Sequence, residues 1–175
     1  MTEHLGEGEL RAALLALGRR RTTRTELIIG GAGALILTGE LVRATSDCDV
    51  LVSNPDMGQL QDDIRAISEQ LGISSGWLNG SVQSYLEILP PDFRARLRSA
   101  FTSGSLRVAV LDRRDIIVMK LYAGRPRDLT DVTALKPTPD ELQFARSEIP
   151  RLNAIDAARA TRIAEFLDFH DSPTR

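Results

Sequence analysis

The sequence has few of the residues that build disulfides, zinc sites and histidine-centred catalytic sites. Its 175 residues include one cysteine, Cys48, and two histidines, His4 and His170, near opposite ends of the chain. A single cysteine excludes an internal disulfide and any zinc site built from cysteines. The long separation of the two histidines in sequence argues against a catalytic triad or a metal site centred on histidine.

Long hydrophobic runs are missing as well. The longest apolar run, Leu27 to Leu37, contains eleven residues, several of them glycine, whereas a membrane-spanning helix needs about 20. The first residues lack the basic region and the apolar core of a signal peptide. We therefore expect a cytoplasmic protein that has no membrane partner.

Charge of one sign is not in excess either. The formal net charge is −2, with 26% charged and 42% hydrophobic residues, which is ordinary for a globular protein and does not indicate binding to long nucleic-acid duplexes. Lysine is scarce, since the 22 basic residues include only Lys120 and Lys136 as lysines. The length corresponds to one domain, or to one domain with a small appendage.

Hydrophobic periodicity predicts an α+β (mixed α/β) fold, with a small, twisted, mixed sheet of about four to five strands and helices packed around it. Strands are predicted at residues 26–30, 48–53, 85–89 and 106–111. Helices are predicted at residues 7–20, 31–39, 57–71, 112–123, 128–135, 139–149 and 153–169, the last two separated near Pro150. Because prolines 137 and 139 mark a boundary, we assign residues 1–136 to the core and 137–175 to a C-terminal helical appendage of the same domain.

The most informative segment joins a glycine turn to a pair of aspartates. Gly30-Gly31 closes a buried strand and opens a helix, and Asp47 and Asp49 then open the next strand. Residues i and i+2 of a strand share a face, so the two carboxylates project together while Cys48 points away. Adjacent carboxylates repel unless a cation joins them, and Mg²⁺ is typically held by one or two carboxylates and substrate phosphates.

The glycines supply the other half of such a site. They let the backbone approach a phosphate closely, and a helix start offers free N–H groups to an anion. Glycine turn and carboxylate pair together predict a site for a metal-bound nucleoside triphosphate. The alternatives are a solvated pair of strand-edge acids and an ordinary tight turn. A dinucleotide-binding turn is rejected, because Ile36 stands where its third glycine would be, and the acids open the strand instead of closing it.

Two blocks of the sequence resemble the DNA polymerase β-like nucleotidyltransferase superfamily, and more closely its small bacterial branch related to abortive-infection and toxin–antitoxin nucleotidyltransferases. Gly30-Gly31, the short apolar helix, Gly39 and then Arg43-x-Thr45-x-Asp47-x-Asp49 are similar to the first motif. The block from Asp115 to Asp131 is similar to a downstream motif, in which a lysine on a helix precedes Arg-x-x-Asp-x-x-Asp. The resemblance covers roughly residues 25–136.

The resemblance implies a role for each matching residue. Asp47 and Asp49 would bind two Mg²⁺ ions, and Lys120 would face the nucleotide phosphates. The residues expected to bind the nucleotide are Gly30, Gly31, Arg43, Thr45, Lys120, Asp128 and Asp131, and the last two would complete or brace the site.

Each of these roles has a structural alternative. Lys120 could be a surface lysine that extends its ammonium to water. Asp128 and Asp131 could cap the helix that they begin. Arg43 and Arg125 could pair with these carboxylates.

One expected element of the family is missing from its usual place. Catalytically competent members generally carry a third acid on a later strand, and the predicted strand 106–111 has none. Glu87, on the predicted strand 85–89, is the candidate, as a general base for the attacking hydroxyl or simply as an exposed strand acid. Trp77 and Asn79 suggest a base-stacking ring and a hydrogen-bond donor, although a lone Trp is commonly a core or lid anchor.

We therefore expect a magnesium-dependent nucleotidyltransferase that transfers a nucleoside monophosphate from an NTP to an acceptor hydroxyl. The acceptor could be a tRNA, a protein or a small molecule, and the protein could be a toxin-like component. The alternative is a degenerate nucleotidyltransferase fold that binds nucleotides or proteins without catalysis. The alanine-rich C-terminal helix could pack on the core, mediate a homodimer or hold an antitoxin-like partner.

Overall fold

A five-stranded mixed sheet forms the centre of the first part of the chain. The computed structural model describes residues 4–171. The strands are β1 (Thr25–Ile29), β2 (Cys48–Asn54), β3 (Leu78–Asn79), β4 (Arg98–Ser103) and β5 (Leu106–Val110). They lie in the order β3-β2-β1-β5-β4. Strand β1 is antiparallel to β2 and parallel to β5, β2 is parallel to β3, and β4 is antiparallel to β5. The predicted α+β fold with a mixed sheet of four to five strands is thus confirmed.

Seven α-helices accompany the sheet within residues 4–171. They are α1 (Glu7–Arg20), α2 (Gly31–Leu37), α3 (Gln61–Leu71), α4 (Arg113–Ala123), α5 (Pro126–Leu135), α6 (Pro139–Ile155) and α7 (Ala157–Asp171). Short 3-10 turns occupy Met57–Leu60, Gln83–Ile88 and Phe93–Arg96. No helix within this range is long and apolar enough to cross a membrane.

The chain forms two compact units. The first comprises the described residues up to Leu86 together with Arg94–Asp112, and so contains the whole sheet and α1 to α3. The second comprises Glu87–Phe93 and the chain from Arg113 onward, and so contains α4 to α7. The units therefore divide after Asp112, and the division of the domain at residue 136 stays a prediction.

Strands β1 and β2 form where the sequence supplies uninterrupted apolar residues. Leu27, Ile28 and Ile29 of β1 are all buried, as are Val50 and Leu51 of β2. Such runs are typical of strands that are covered on both faces. Because β1 ends at the glycine turn and β2 begins at the aspartates, these two strands position both parts of the motif.

The predicted strand at residues 85–89 is wrong. The segment lies in the 3-10 turn Gln83–Ile88, in which the Tyr85 N–H donates to Val82 O at 2.9 Å. Of the predicted strand only Ile88 and Leu89, which are adjacent, are buried, so the alternation that a half-buried strand needs is absent. Glu87 is exposed on this turn.

The predicted break near Pro150 is also wrong. Helix α6 continues through Pro150 as far as Ile155, and Asp156 is its C-cap. The side chain of Asp156 accepts a hydrogen bond from the backbone N–H of Arg159 at 3.0 Å, which starts α7. The break therefore falls where a capping side chain is available, and the exposed proline is accommodated within the helix.

Candidate functional site

The two aspartates of the first motif stand side by side at the start of β2. Asp49 lies on the strand and Asp47 immediately precedes it, and both are partly buried. Cys48 between them is fully buried. This burial pattern agrees with the predicted alternation, in which the thiol and the two carboxylates are on opposite faces.

The glycine turn lies directly against one of these carboxylates. Gly31 has a φ of +60°, and a Cβ built on it would lie 2.7 Å from Oδ2 of Asp49. The Gly30 N–H donates to the Asp49 carbonyl oxygen at 3.0 Å. A side chain at position 31 would therefore be strained by its backbone and would occupy the place of the carboxylate. The two parts of the motif, 18 positions apart in sequence, are in contact.

Neutral side chains orient the carboxylates. Oδ1 of Asp47 accepts from the Ser46 hydroxyl at 3.3 Å, and Oδ2 accepts from Nδ2 of Asn79 at 3.3 Å. Oδ1 of Asp49 accepts from the Ser81 hydroxyl at 3.1 Å. Asn79 was considered as a donor to a nucleotide, which stays a prediction; its contact with Asp47, and those of Ser46 and Ser81, were not predicted. The Asn-Gly-Ser sequence at 79–81 does indicate a turn, but not the strand beside which the turn would lie.

Trp77 supports this turn from the protein interior. Its side chain is fully buried, and Nε1 donates to the carbonyl oxygen of Ile64 at 3.2 Å. The Cys48 N–H donates to the Trp77 carbonyl oxygen at 2.7 Å, so β2 and β3 are joined at this point. The interpretation of Trp77 as a base-stacking ring is wrong, because a fully buried indole has no face available to a nucleotide.

The aspartate pair could supply only part of the ligand set of a metal ion, as is usual for Mg²⁺ sites. Among residues 4–171, no group of three or more histidine, cysteine, aspartate and glutamate side chains could hold a metal ion. Asp47 and Asp49 could supply two ligands to a metal ion whose other ligands are substrate phosphates and water. Mg²⁺ is commonly held in this way.

The alkylation rate of Cys48 tests whether this part of the structure is folded. Burial, and secondarily the charges of Asp49 and Asp47, raise the pKa of its thiol well above its ordinary value. Since the thiolate is the reactive species, we expect iodoacetamide to label the native protein at least about 100-fold more slowly than the urea-unfolded chain. Mass spectrometry measures the rates, with circular dichroism on the same samples as a control. Rapid labelling of the native protein would contradict the burial of Cys48.

The downstream motif forms a buried ionic cluster in the second unit. Nζ of Lys120, on α4, lies 2.7 Å from Oδ2 of Asp131 and 3.3 Å from Oδ1 of Asp128, both on α5. The three side chains are 6%, 6% and 7% exposed, respectively. Nε of Arg125, a largely exposed side chain, approaches Oδ2 of Asp128 at 2.5 Å. The expected pairing of Arg125 with these carboxylates is confirmed.

This cluster excludes two of the structural alternatives. Lys120 is not a surface lysine, because it is buried. Asp128 and Asp131 do not cap a helix that they begin, since α5 has Arg125 as its N-cap and Pro126 at its first position. Proline at the first helical position is favoured because its missing N–H would have no partner there.

The other predicted site residues have less specific positions. Thr45 is buried, and its backbone forms a bridge with Leu5, through N–H···O distances of 2.6 and 2.9 Å. Nη1 of Arg43 donates to the carbonyl oxygen of Ala44 at 2.9 Å, and its pairing with a carboxylate stays a prediction. Glu87 is on a 3-10 turn and not on a strand, which removes the strand placement that suggested a third carboxylate.

Comparison with known protein families gives a match that agrees with this geometry. Residues 10–142 match a family described as "Nucleotidyltransferase of unknown function (DUF6036)". This region contains the glycine turn, the aspartate pair and the ionic cluster. No match was found among curated proteins or among solved structures. The chain therefore belongs to this nucleotidyltransferase family.

Proposed function

We propose that this protein is a magnesium-dependent nucleotidyltransferase that transfers a nucleoside monophosphate from an NTP to an acceptor hydroxyl. The observation that carries the proposal is the contact of the Gly30-Gly31 turn with Asp49, beside which Asp47 stands. The contact brings a backbone that can approach phosphate together with two carboxylates that can bind metal. The nucleotidyltransferase family supports the same reading.

The aspartates would hold Mg²⁺ and, through it, the phosphates of the NTP. Two ions bound there would activate the attacking hydroxyl and neutralise charge on the leaving pyrophosphate. Asp47 and Asp49 would determine where the metal ions bind, because neighbouring side chains donate hydrogen bonds to both carboxylates. Gly30 and Gly31 would leave room for the triphosphate beside Asp49.

The remaining residues have proposed supporting roles. Asp128 and Asp131 form ion pairs with the ammonium of Lys120 and so join α4 to α5. We therefore assign this cluster a bracing role. Binding of Lys120 to the nucleotide phosphates would require it to leave these two carboxylates. Arg43 and Thr45 belong to the segment that leads into Asp47, and their part in nucleotide binding is a proposal. Glu87 as a general base is likewise a proposal.

The acceptor is proposed only as a class of molecule that bears a hydroxyl group. A tRNA end, a protein side chain and a small molecule all satisfy this condition. A toxin-like role, with an antitoxin-like partner or a second copy of the chain bound to the protein, belongs to the same proposal. So does the assignment to the bacterial toxin–antitoxin branch.

A nucleotide- or protein-binding module without transferase activity is the second candidate. It is favoured by the absence of an acidic residue from β5 (Leu106–Val110) and by the exposed position of Glu87 outside any strand. Such a module would keep the aspartate pair and bind a metal-bound NTP without transferring its nucleotide.

Calorimetric titration with non-hydrolysable analogues of the four NTPs, with and without Mg²⁺, tests the binding step. We expect Mg²⁺-dependent binding that the Asp47→Asn/Asp49→Asn double variant weakens by at least about tenfold, because it removes both anionic metal ligands. Asp62→Asn/Asp140→Asn is the matched control, since it removes the same charge from two exposed positions. Equal binding by wild type and the site variant would contradict the proposed site.

Transfer of the labelled α-phosphate then separates the two candidate functions. The enzyme should attach the nucleotide to a component of a tRNA, protein or small-molecule fraction in the presence of Mg²⁺. Mg²⁺-dependent binding with no transfer to any fraction would favour the binding module.

A further inference from the structure

We infer that Asn79 and Ser81 are positioning residues for the two metal-binding aspartates, an inference that rests on the proposed function. Each donates a hydrogen bond to a different carboxylate. Asn79 donates from Nδ2 to Oδ2 of Asp47, and Ser81 donates from its hydroxyl to Oδ1 of Asp49. The Asn79–Ser81 turn, which begins at the last residue of β3, thereby orients both carboxylates.

The turn sets the orientation of the Asn79 amide by a hydrogen bond of its own. The backbone N–H of Ser81 donates to Oδ1 of Asn79 at 2.9 Å. Since the oxygen is occupied by this donor, the NH₂ group faces Asp47 and the carbonyl oxygen of Gly76, at 3.3 and 3.4 Å. The residue therefore presents a donor, and not an acceptor, to the carboxylate.

The sheet holds the turn in register with the aspartates. Strand β3 pairs in parallel with β2, with Cys48 opposite Leu78 and Asp49 opposite Asn79. The buried Trp77, anchored on Ile64, precedes this pair. A shift of β3 by one residue would turn the side chain of Asn79 to the other face of the sheet, so the register is part of the site.

The charge of the donors matters for metal binding. An amide and a hydroxyl each fix one carboxylate oxygen without adding a positive charge of their own. In the buried cluster of the second unit, by contrast, Lys120 lies on Asp128 and Asp131. Outer partners of metal ligands typically change metal affinity by about 10–100-fold when they are removed.

Mn²⁺ provides a spectroscopic test, because electron paramagnetic resonance distinguishes free from bound Mn²⁺. The protein is titrated with Mn²⁺ in the presence of the NTP analogue that binds best. We expect Asn79→Ala and Ser81→Ala each to weaken Mn²⁺ binding by about tenfold, while Ser81→Thr, which keeps the hydroxyl, restores binding to near the wild-type level. Ser84→Ala, at an exposed serine of the following 3-10 turn, is the matched control.

The outcomes separate this inference from the proposed function. Wild-type binding of Mn²⁺ with undiminished binding by Asn79→Ala and Ser81→Ala would overturn the positioning role and leave the proposed function intact. Failure of the wild type to bind Mn²⁺ with any analogue would overturn both. A melting temperature close to that of the wild type would show that a variant loses affinity at the site and not through unfolding. A Ser81→Thr variant that binds Mn²⁺ as weakly as Ser81→Ala would also overturn the role of the hydroxyl.

Discussion

Lys120→Met is expected to lower the free energy of unfolding by about 3–5 kcal/mol, because removal of one member of a buried ionic cluster leaves the opposite charges in a poorly solvated place. Asp131 loses an ammonium at 2.7 Å and Asp128 loses one at 3.3 Å. Urea unfolding followed by circular dichroism measures the change.

The chain contains its own control for this experiment. Lys136 is the only other lysine, and it is exposed at the end of α5, so Lys136→Met should change stability by no more than about 0.5 kcal/mol. In the Lys120→Met background, replacing Asp131 with leucine should recover part of the loss, since apolar residues can substitute for a buried pair. A Lys120→Met protein as stable as the wild type would show that the ammonium does not stabilise α4 and α5.

Gly31→Ala is expected to weaken Mg²⁺-dependent NTP binding by about 10–100-fold, because displacing a metal-binding carboxylate should cost as much as removing one of its supporting partners. The new methyl group would lie 2.7 Å from Oδ2 of Asp49. This oxygen is at the end of a side chain that can rotate, so the carboxylate should move and the fold should persist. Left-handed backbone at an alanine should cost about 1–2 kcal/mol of stability.

Gly39→Ala separates the strain from the displaced carboxylate. Gly39 has a similar φ of +72°, and a Cβ at that position meets nothing within 4 Å. We expect the two variants to lose similar stability in urea unfolding and only Gly31→Ala to lose affinity in calorimetric titration. Equal affinity of the two variants would mean that Asp49 does not need the space beside Gly31 in order to bind the metal.

The sequence predicted the sheet where strands are apolar and buried, and failed where they are short or at an edge. Strands β1, β2 and β5 were predicted because each contains a run of aliphatic residues. Strand β3 has only two residues, and β4 is a partly exposed edge strand containing Arg98 and three hydroxyl-bearing residues. Neither has the pattern that distinguishes a strand from a loop. Their pairing depends on partners distant in sequence.

The site, too, was predictable only where the relation between its residues is local in sequence. Spacing alone places Asp47 and Asp49 on one face of a strand, because that relation is local. Ser81 follows Asp49 by 32 positions, and its contact depends on the pairing of β3 with β2. The meeting of Lys120 with Asp131 depends on the angle between two helices joined at Gly124, whose φ is +63°. No periodicity within one helix encodes such an angle.

The contact between Gly31 and Asp49 links the two positions in evolution. A larger residue at position 31 needs the volume that the carboxylate of Asp49 occupies. Substitutions at the two positions should therefore occur jointly among relatives, since residues in direct contact tend to covary. A relative that has lost the glycine at the position of Gly31 should have relaxed its requirement for aspartate at the position of Asp49. The glycine and the aspartate of the first motif should therefore be retained or lost together.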